Sequence, residues 1–598
     1  MTMIPSVRQL RLFVLGLCAA LVFIFLDGSM MTAQSPEPLL IAIGGGYTDT
    51  YDGFLAAVFA RADGDTINIA VLPPAYSSSA ERIGDDERGL NMQDAEHRRA
   101  QLEDACKRLV PAGRVCRVRL SPVFTRADAE NPANLAFFDA ALDGVFVLGG
   151  DQSIAMQVLM DTPLETALAA AYARGAVIAG TSAGLAVQSR AMIAGYAGDE
   201  NGPANALNEG AALLWNDSTR HGLSFGVTRA ILEQHFWERA RAGRLLNALA
   251  QPGAPHVGLG VDGYTAVQVR GGTRLEGMFG LYTAAVFDAE TFGAAEKAAY
   301  PGGLLDMRNV LFHMLAPGDF SYDLETRRFS LAAPPERAER DFSALALPDG
   351  AGPLLLTSGL PALPLDHPAW ARLLEWAGGG KILAIVLAPP DDGLGERISA
   401  QLGEAISADF VFPLADPEAF ANLDLSPYAA LLMAGADASL IEVSTLARIN
   451  ETWRAGKPLA LDDAAAAVAG AFYAAHPPTP HEAAEHEAAT QGSLIEGGTT
   501  VRPGLGLLEA TFTPRLMADN RWGRLVALAY AHPDRLAFGL NDGAALEITA
   551  GGARVTGTNG LIALDLRGAA LATGTNGGFV IANGWLDVFA PGTLVQDA

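Results

Sequence analysis

A chain of 598 residues is too long for one hydrophobic core, so two domains are expected. Half of the residues are hydrophobic, ample material for buried sheets. The formal net charge of −26 argues against nucleic acid or an anionic membrane surface as partner. That acidity suits a cationic substrate, but many exported soluble proteins are simply acidic, and the plainer reading is preferred.

Residues 1–34 do not read as part of the fold. Arg8 and Arg11 precede an apolar run, 12–26, which Asp27 ends; this is the pattern of an export signal. The run is short for a membrane span, which needs about 20 apolar residues. The segment is therefore an export signal or an uncleaved N-terminal anchor, and any membrane contact is expected through it alone. Cys18, inside the run, is taken as a signal residue. The expected location is periplasmic or extracellular.

Strands then alternate with helices. Residues 39–43, 66–72, 115–120, 144–148 and 176–179, most of them short apolar runs, read as strands, while 94–109 and 162–173 read as helices. Such alternation implies a mostly parallel sheet covered on both faces. Two later strands, 266–269 and 282–287, are expected to extend it. Cys106 and Cys116 flank a helix end, a turn and a strand start. Export permits a disulfide between them, and two buried thiols are the alternative.

Three motifs carry the chemistry. Gly180-Thr181-Ser182-Ala183-Gly184 follows the strand 176–179 and opens a helix, as a nucleophile elbow does. Its serine is held out near backbone N–H groups that can stabilise the anion of acyl transfer. Val145-Phe146-Val147-Leu148-Gly149-Gly150-Asp151-Gln152 is a buried strand ending in a polar turn. Glu233-Gln234-His235-Phe236-Trp237-Glu238-Arg239-Ala240-Arg241-Ala242-Gly243-Arg244-Leu245 brings a histidine and three arginines. Sites in open α/β sheets gather at the carboxyl ends of strands, where the Gly149-Gly150 turn and Ser182 both fall. A serine hydroxyl needs a base, and His235 is the natural one. Gly150 and Ala183 are expected to supply the oxyanion N–H groups.

The set resembles cyanophycinase and its relatives, serine peptidases that include aspartyl dipeptidases. That family has a Gly-Gly-Asp-Gln turn, a Gly-Thr-Ser-Ala-Gly elbow and a Gln-His-Phe segment followed by spaced arginines and Gly-Arg-Leu. All stand here in the same order, and Gly44-Gly45-Gly46 after the first strand also fits. The resemblance covers 35–331. It implies an α/β three-layer domain of flavodoxin-like or class I amidotransferase-like type, with a substrate carrying an aspartyl residue on the acyl side. Arg239, Arg241 and Arg244 are candidates for its carboxylates, and Asp151, Gln152 and Gln234 for the rest of the pocket. The family places an acidic pair after a Gly-x-Gly-x strand, the glutamate orienting the histidine. Here the pair reads Asp262-Gly263, so Asp262 is the candidate acid. Neighbouring strand residues face opposite ways, so Asp262 should aim away from His235 unless the strand is distorted. A weakened site is expected, one that a glutamate at 263 would improve.

Residues 332–352 are polar and contain prolines, and they read as a linker. Residues 353–598 read as a second, degenerate copy, giving two domains in tandem. Trp522-Gly523-Arg524-Leu525, Ala537-Phe538-Gly539-Leu540-Asn541 and Leu431-Leu432-Met433-Ala434-Gly435 echo segments of the first copy at a near-constant offset. Aligned on the strand before the elbow, Ala464 stands where Ser182 does, and Arg515 where His235 does. The copy is therefore expected to lack the chemistry. His481 and His486, at i and i+5, are about 140° apart on a helix and do not make a zinc pair. No metal or organic cofactor is implied. The expected partners are an aspartyl peptide and a second copy of the chain in a homodimer. The alternative function is a non-catalytic binding or scaffold protein, kept open by Gly263.

Overall fold

The computed structural model describes residues 37–290, 303–336, 340–403, 406–480 and 482–597. The apolar run 12–26, Arg337 and His481 lie outside the described residues.

The first repeat is built on β1 (Leu39–Ile43), β2 (Thr66–Leu72), β3 (Val115–Leu120), β4 (Gly144–Val147) and β5 (Val177–Thr181). These are the five strands expected from the sequence, and they pair in parallel in the order β1-β5-β4-β2-β3. Alternate side chains of β1 enter separate cores: Leu40 and Ala42 one, Leu39, Ile41 and Ile43 the other. Both faces are thus covered, as an apolar parallel sheet requires. The helices Asp85–Leu109 and Pro163–Arg174 answer to the two helical readings.

The hairpin of β6 (Met192–Tyr196) and β7 (Ala212–Trp215) follows in the chain, then β8 (Ala230–Glu233) and β9 (Val257–Val261). Next come β10 (Thr265–Arg270), β11 (Arg274–Gly280), β12 (Ala284–Asp288), β13 (Met307–Leu315), β14 (Tyr322–Asp323) and β15 (Arg328–Phe329). The expectation that both late strands extend the first sheet holds for one. β10 pairs antiparallel with β1, but β12 joins a separate sheet between β9 and β13. Cys106 and Cys116 form a disulfide that ties the end of the long helix to β3.

The second repeat has β16 (Leu354–Thr357), β17 (Ile382–Val386), β18 (Ala408–Val411), β19 (Ala430–Gly435) and β20 (Leu459–Asp463). The remainder are β21 (Phe472–Ala474), β22 (Val501–Pro503), β23 (Ala510–Pro514), β24 (Leu536–Leu540), β25 (Ala544–Thr549), β26 (Gly552–Gly557), β27 (Leu561–Asp565), β28 (Ala570–Thr573), β29 (Phe579–Phe589) and β30 (Leu594–Gln596). Its main sheet runs β18-β17-β19-β20-β16-β25-β26-β30. Strand for strand, this is the order β3-β2-β4-β5-β1-β10-β11-β14 of the first repeat.

The repeats are not beads on a string. Residues 38–598 form one compact unit. The strands β8-β9-β12-β13 and β29-β27-β24-β23 run end to end in one sheet, joined by antiparallel pairing of β13 with β29. A shared apolar core lies on it, where Trp237 and Phe312 meet Trp522, Leu525 and Ile581. The stretch read as a linker is itself anchored. Phe342 and Leu345 are buried in the second core, and Arg340 pairs with Asp565 at 2.9 Å and Asp587 at 3.0 Å.

Candidate active site

Ser182 closes β5 and begins a one-turn helix, Ala183–Ala186, with φ 54° and ψ −118°. A serine pays conformational strain in that region, and the turn exists because its neighbours are small. A Cβ on residue 180 would fall 2.0 Å from the carbonyl oxygen of Gly184, and one on residue 184 would fall 2.5 Å from that of Val147. The sharp reversal sets Ser182 at the carboxyl end of the sheet beside Gly149, whose added Cβ would come 3.1 Å from Ser182 Cβ.

His235 is on the irregular segment that leaves β8. It too has a positive φ, 45°, and its N–H donates to the Gly44 carbonyl at 2.9 Å. The imidazole Nε2 lies 3.1 Å from Ser182 Oγ, and Nδ1 lies 3.0 Å from Glu238 Oε1. With Nδ1–H donating to the carboxylate, Nε2 is the free acceptor for the serine proton. Ser182 Oγ has a second acceptor in Gln234 Oε1 at 3.2 Å. Burial holds the His235 pKa below its usual 6.5 against the opposing pull of Glu238, so the base is neutral in neutral solution.

The carboxylate that meets His235 is therefore Glu238, and the expectation that Asp262 does so is corrected. Asp262 is fully buried and faces away: Oδ1 accepts the Trp237 N–H at 2.9 Å, and Oδ2 accepts the Thr283 hydroxyl at 2.9 Å. Strand alternation turns it to the far side, as anticipated. Burial, then the charge of Glu238, push its carboxyl well above the usual carboxylate range. Its role is to fix the loop that carries His235 and Glu238. Glu238 was in view in the sequence but passed over. The signal was a glutamate three residues after the histidine. It becomes meaningful only in the irregular segment after β8, where the Gly263 N–H holds Glu238 Oε1 at 2.8 Å from 25 residues further along the chain.

The candidate pocket residues divide. Asp151 caps the helix Gln152–Leu159, its Oδ1 accepting from the N–H groups of Ser153 and Ile154. Gln152 is buried and donates to the carbonyls of Ile193 and Ala194, so its amide belongs to the scaffold. Arg244 is likewise structural: it forks onto Glu233 at 2.8 and 3.0 Å, with both side chains buried. That removes it as a substrate ligand. Arg241 donates to the Gln234 carbonyl at 2.8 Å, next to His235. Arg239 is half-exposed and pairs with Glu487 of the second repeat at 3.1 Å. Gly150 has φ 130° and sits against the Ala75 carbonyl, and Ala183 follows the serine. Both stand on the two turns that flank Ser182.

In the second repeat the elbow residue is Asp463, correcting the alignment that put Ala464 there. Asp463 closes β20 with φ 48° and ψ −117°, reproducing the Ser182 turn. Arg515 does take the place of His235, with φ 54°. It bonds Asp519 and Asp542 rather than a nucleophile.

A half-buried elbow serine, a histidine and a buried glutamate on an α/β sheet have the arrangement of a serine-hydrolase-type centre. The sequence comparisons agree with that class. Residues 131–275 match the sequence profile of peptidase family S51. A cyanophycinase of Trichormus variabilis is 28% identical over 293 residues, 48% of this chain and 87% of that protein. A cyanophycinase of Geminocystis herdmanii is 31% identical over 177 residues, 29% of this chain and 60% of that protein. Among solved structures, a peptidase from an acI-B1 Actinobacterium aligns at 17% identity and TM-score 0.31, over 42% of this chain and 91% of that one. Over its first half the chain is thus similar to peptidase family S51 and to cyanophycinases.

Proposed function

We propose that the first repeat is an exported serine peptidase that hydrolyses aspartyl or isoaspartyl peptide bonds, with release of β-Asp-Arg from cyanophycin as the particular reaction. The observation that carries this reading is the unbroken relay from Ser182 Oγ through His235 to Glu238. Ser182 Oγ attacks the acyl carbon while His235 Nε2 takes its proton. Glu238 holds the imidazole in the required tautomer and stabilises the imidazolium that forms. The N–H groups of Gly150 and Ala183 receive the developing oxyanion. His235 then returns the proton to the leaving amine as the C–N bond breaks. Water, deprotonated by the same nitrogen, cleaves the acyl-enzyme and restores the serine.

The aspartyl preference is supported by the cyanophycinases among the relatives and by Arg239 and Arg241 next to His235, which can pair with a substrate carboxylate. Export is supported by the apolar run 12–26 and by the Cys106–Cys116 disulfide, a bond that persists in oxidising compartments. The second repeat is a duplicate of the first whose centre has been replaced, consistent with the shared strand order and with Asp463 and Arg515 at the key positions.

The test is incubation of the full chain with cyanophycin and measurement of released β-Asp-Arg by mass spectrometry. Release by the native chain and none by Ser182→Ala is the expected result. No release by the well-folded native chain would reject this substrate.

A further inference from the structure

The replaced centre of the second repeat contains a cavity of about 380 Å³ at the carboxyl ends of β19 and β20. Asp463, Asp519, Arg515 and Arg521 stand on its wall. Arg521 also borders a smaller inner pocket, together with Thr513 and Arg524.

The inner pocket is an anion hole without an anion partner of its own. In the first repeat, Arg244 is neutralised by Glu233. The corresponding residues in the second are Arg524 and Thr513, so the cation has been kept and the carboxylate lost. Arg524 donates to the carbonyl of Pro477, and no carboxylate among the described residues pairs with it. Burial, then the charge of Arg521, lower its pKa to about 10. Arg521 is 6% exposed, and its Nη atoms bond Asp463 and Asp519. Its Nε is buried with no partner among the described residues, as is the Thr513 hydroxyl. An unpartnered buried donor is destabilising, so three unsatisfied or half-satisfied donors around one pocket are a standing demand for an acceptor.

The outer cavity has the opposite character. Both oxygens of Asp519 accept from Arg515, and Oδ2 also from Arg521. Asp463 Oδ1 is taken by Arg521, but its Oδ2 lies 4.0 Å from Arg515 Nε, beyond hydrogen-bond reach. One carboxylate oxygen therefore remains open to a cation. A dianion such as phosphate would meet Asp463 and Asp519 beside the two arginines.

We propose that this cavity binds a small zwitterion, an amino acid or dipeptide, with its carboxylate on Arg521, Arg524 and Thr513 and its ammonium group on Asp463. The site is non-catalytic and stands apart from the reading of the first repeat.

The test is isothermal titration of the full chain, in a Ser182→Ala background, with alanyl-alanine, N-acetyl-alanine, alanine amide and inorganic phosphate. Alanyl-alanine should bind one to one, and loss of either charge in the other two organic probes should weaken binding at least about tenfold. Arg524→Gln and Thr513→Val should each weaken alanyl-alanine binding, the former about tenfold or more. Arg521→Gln should do the same if it folds; the other two variants carry the test if it does not. No binding of alanyl-alanine at about 10 mM would overturn the proposal. So would binding untouched by Arg524→Gln and Thr513→Val, or preferential binding of phosphate.

Discussion

Gly263 makes room for Glu238. Its N–H donates to Glu238 Oε1 at 2.8 Å, and a Cβ on residue 263 would fall 2.7 Å from that same oxygen. The place where the family's glutamate would arise is thus filled by a carboxylate arriving from another loop. A side chain at 263 and the Glu238 carboxylate compete for the same space.

The two positions should therefore be exchangeable. Glu238→Ala should lower kcat by about 10²–10⁴, the range for removing an orienting acid. Gly263→Glu alone should also lower the rate, because its side chain meets Glu238, reversing the expectation from sequence. The double variant Glu238→Ala with Gly263→Glu should recover activity over either single change, measured as kcat for β-Asp-Arg release.

The pH profile follows from the environment of His235. The neutral imidazole is the active form, and burial holds its pKa below 6.5. kcat/KM should rise with pH through a limb below 6.5 and then level off. Glu238 raises that pKa, so Glu238→Gln should move the limb to still lower pH as well as reduce the plateau. A limb that stays in place in this variant would argue against the Glu238–His235 contact.

The arginines should separate by role. Arg244→Ala removes the bidentate partner of buried Glu233, leaving it only Arg241 at 3.5 Å, and should cost about 3 kcal/mol of stability, read by chemical denaturation. Arg239→Ala removes a half-exposed ion pair worth at most about 1 kcal/mol, so its melting temperature should hardly move while KM rises.

How much of this was legible in the sequence depended on how local the determinant was. The Ser182 elbow and the five strands β1 to β5 were readable because each is fixed by a few consecutive residues: small ones around a tight turn, apolar ones in a covered strand. Glu238 was not, because its place beside His235 is fixed on an irregular segment by the Gly263 N–H, a contact across 25 residues that no periodicity announces. The second elbow was placed one residue late, at Ala464. Aspartate at 463 is not a usual elbow residue, and only the backbone angles mark it. The joint sheet was invisible for another reason: β13 and β29 pair across more than 260 residues, a contact that no local pattern encodes.

That pairing makes the second repeat necessary to the first. Ending the chain near Pro348 would expose the whole inner edge of β13 and the apolar core around Trp237 and Phe312. The truncated protein should aggregate, seen as light scattering at concentrations where the full chain is clear. A soluble, active truncated form would contradict the dependence.

The central claim is that Ser182, His235 and Glu238 form one nucleophilic centre and that the second repeat has none. Fluorophosphonate labelling followed by peptide mass spectrometry tests it most directly. The account predicts one adduct per chain, on Ser182, absent in His235→Ala and strongly slowed in Glu238→Ala. A folded chain that takes no adduct, or one labelled elsewhere with Ser182 unmodified, would contradict it.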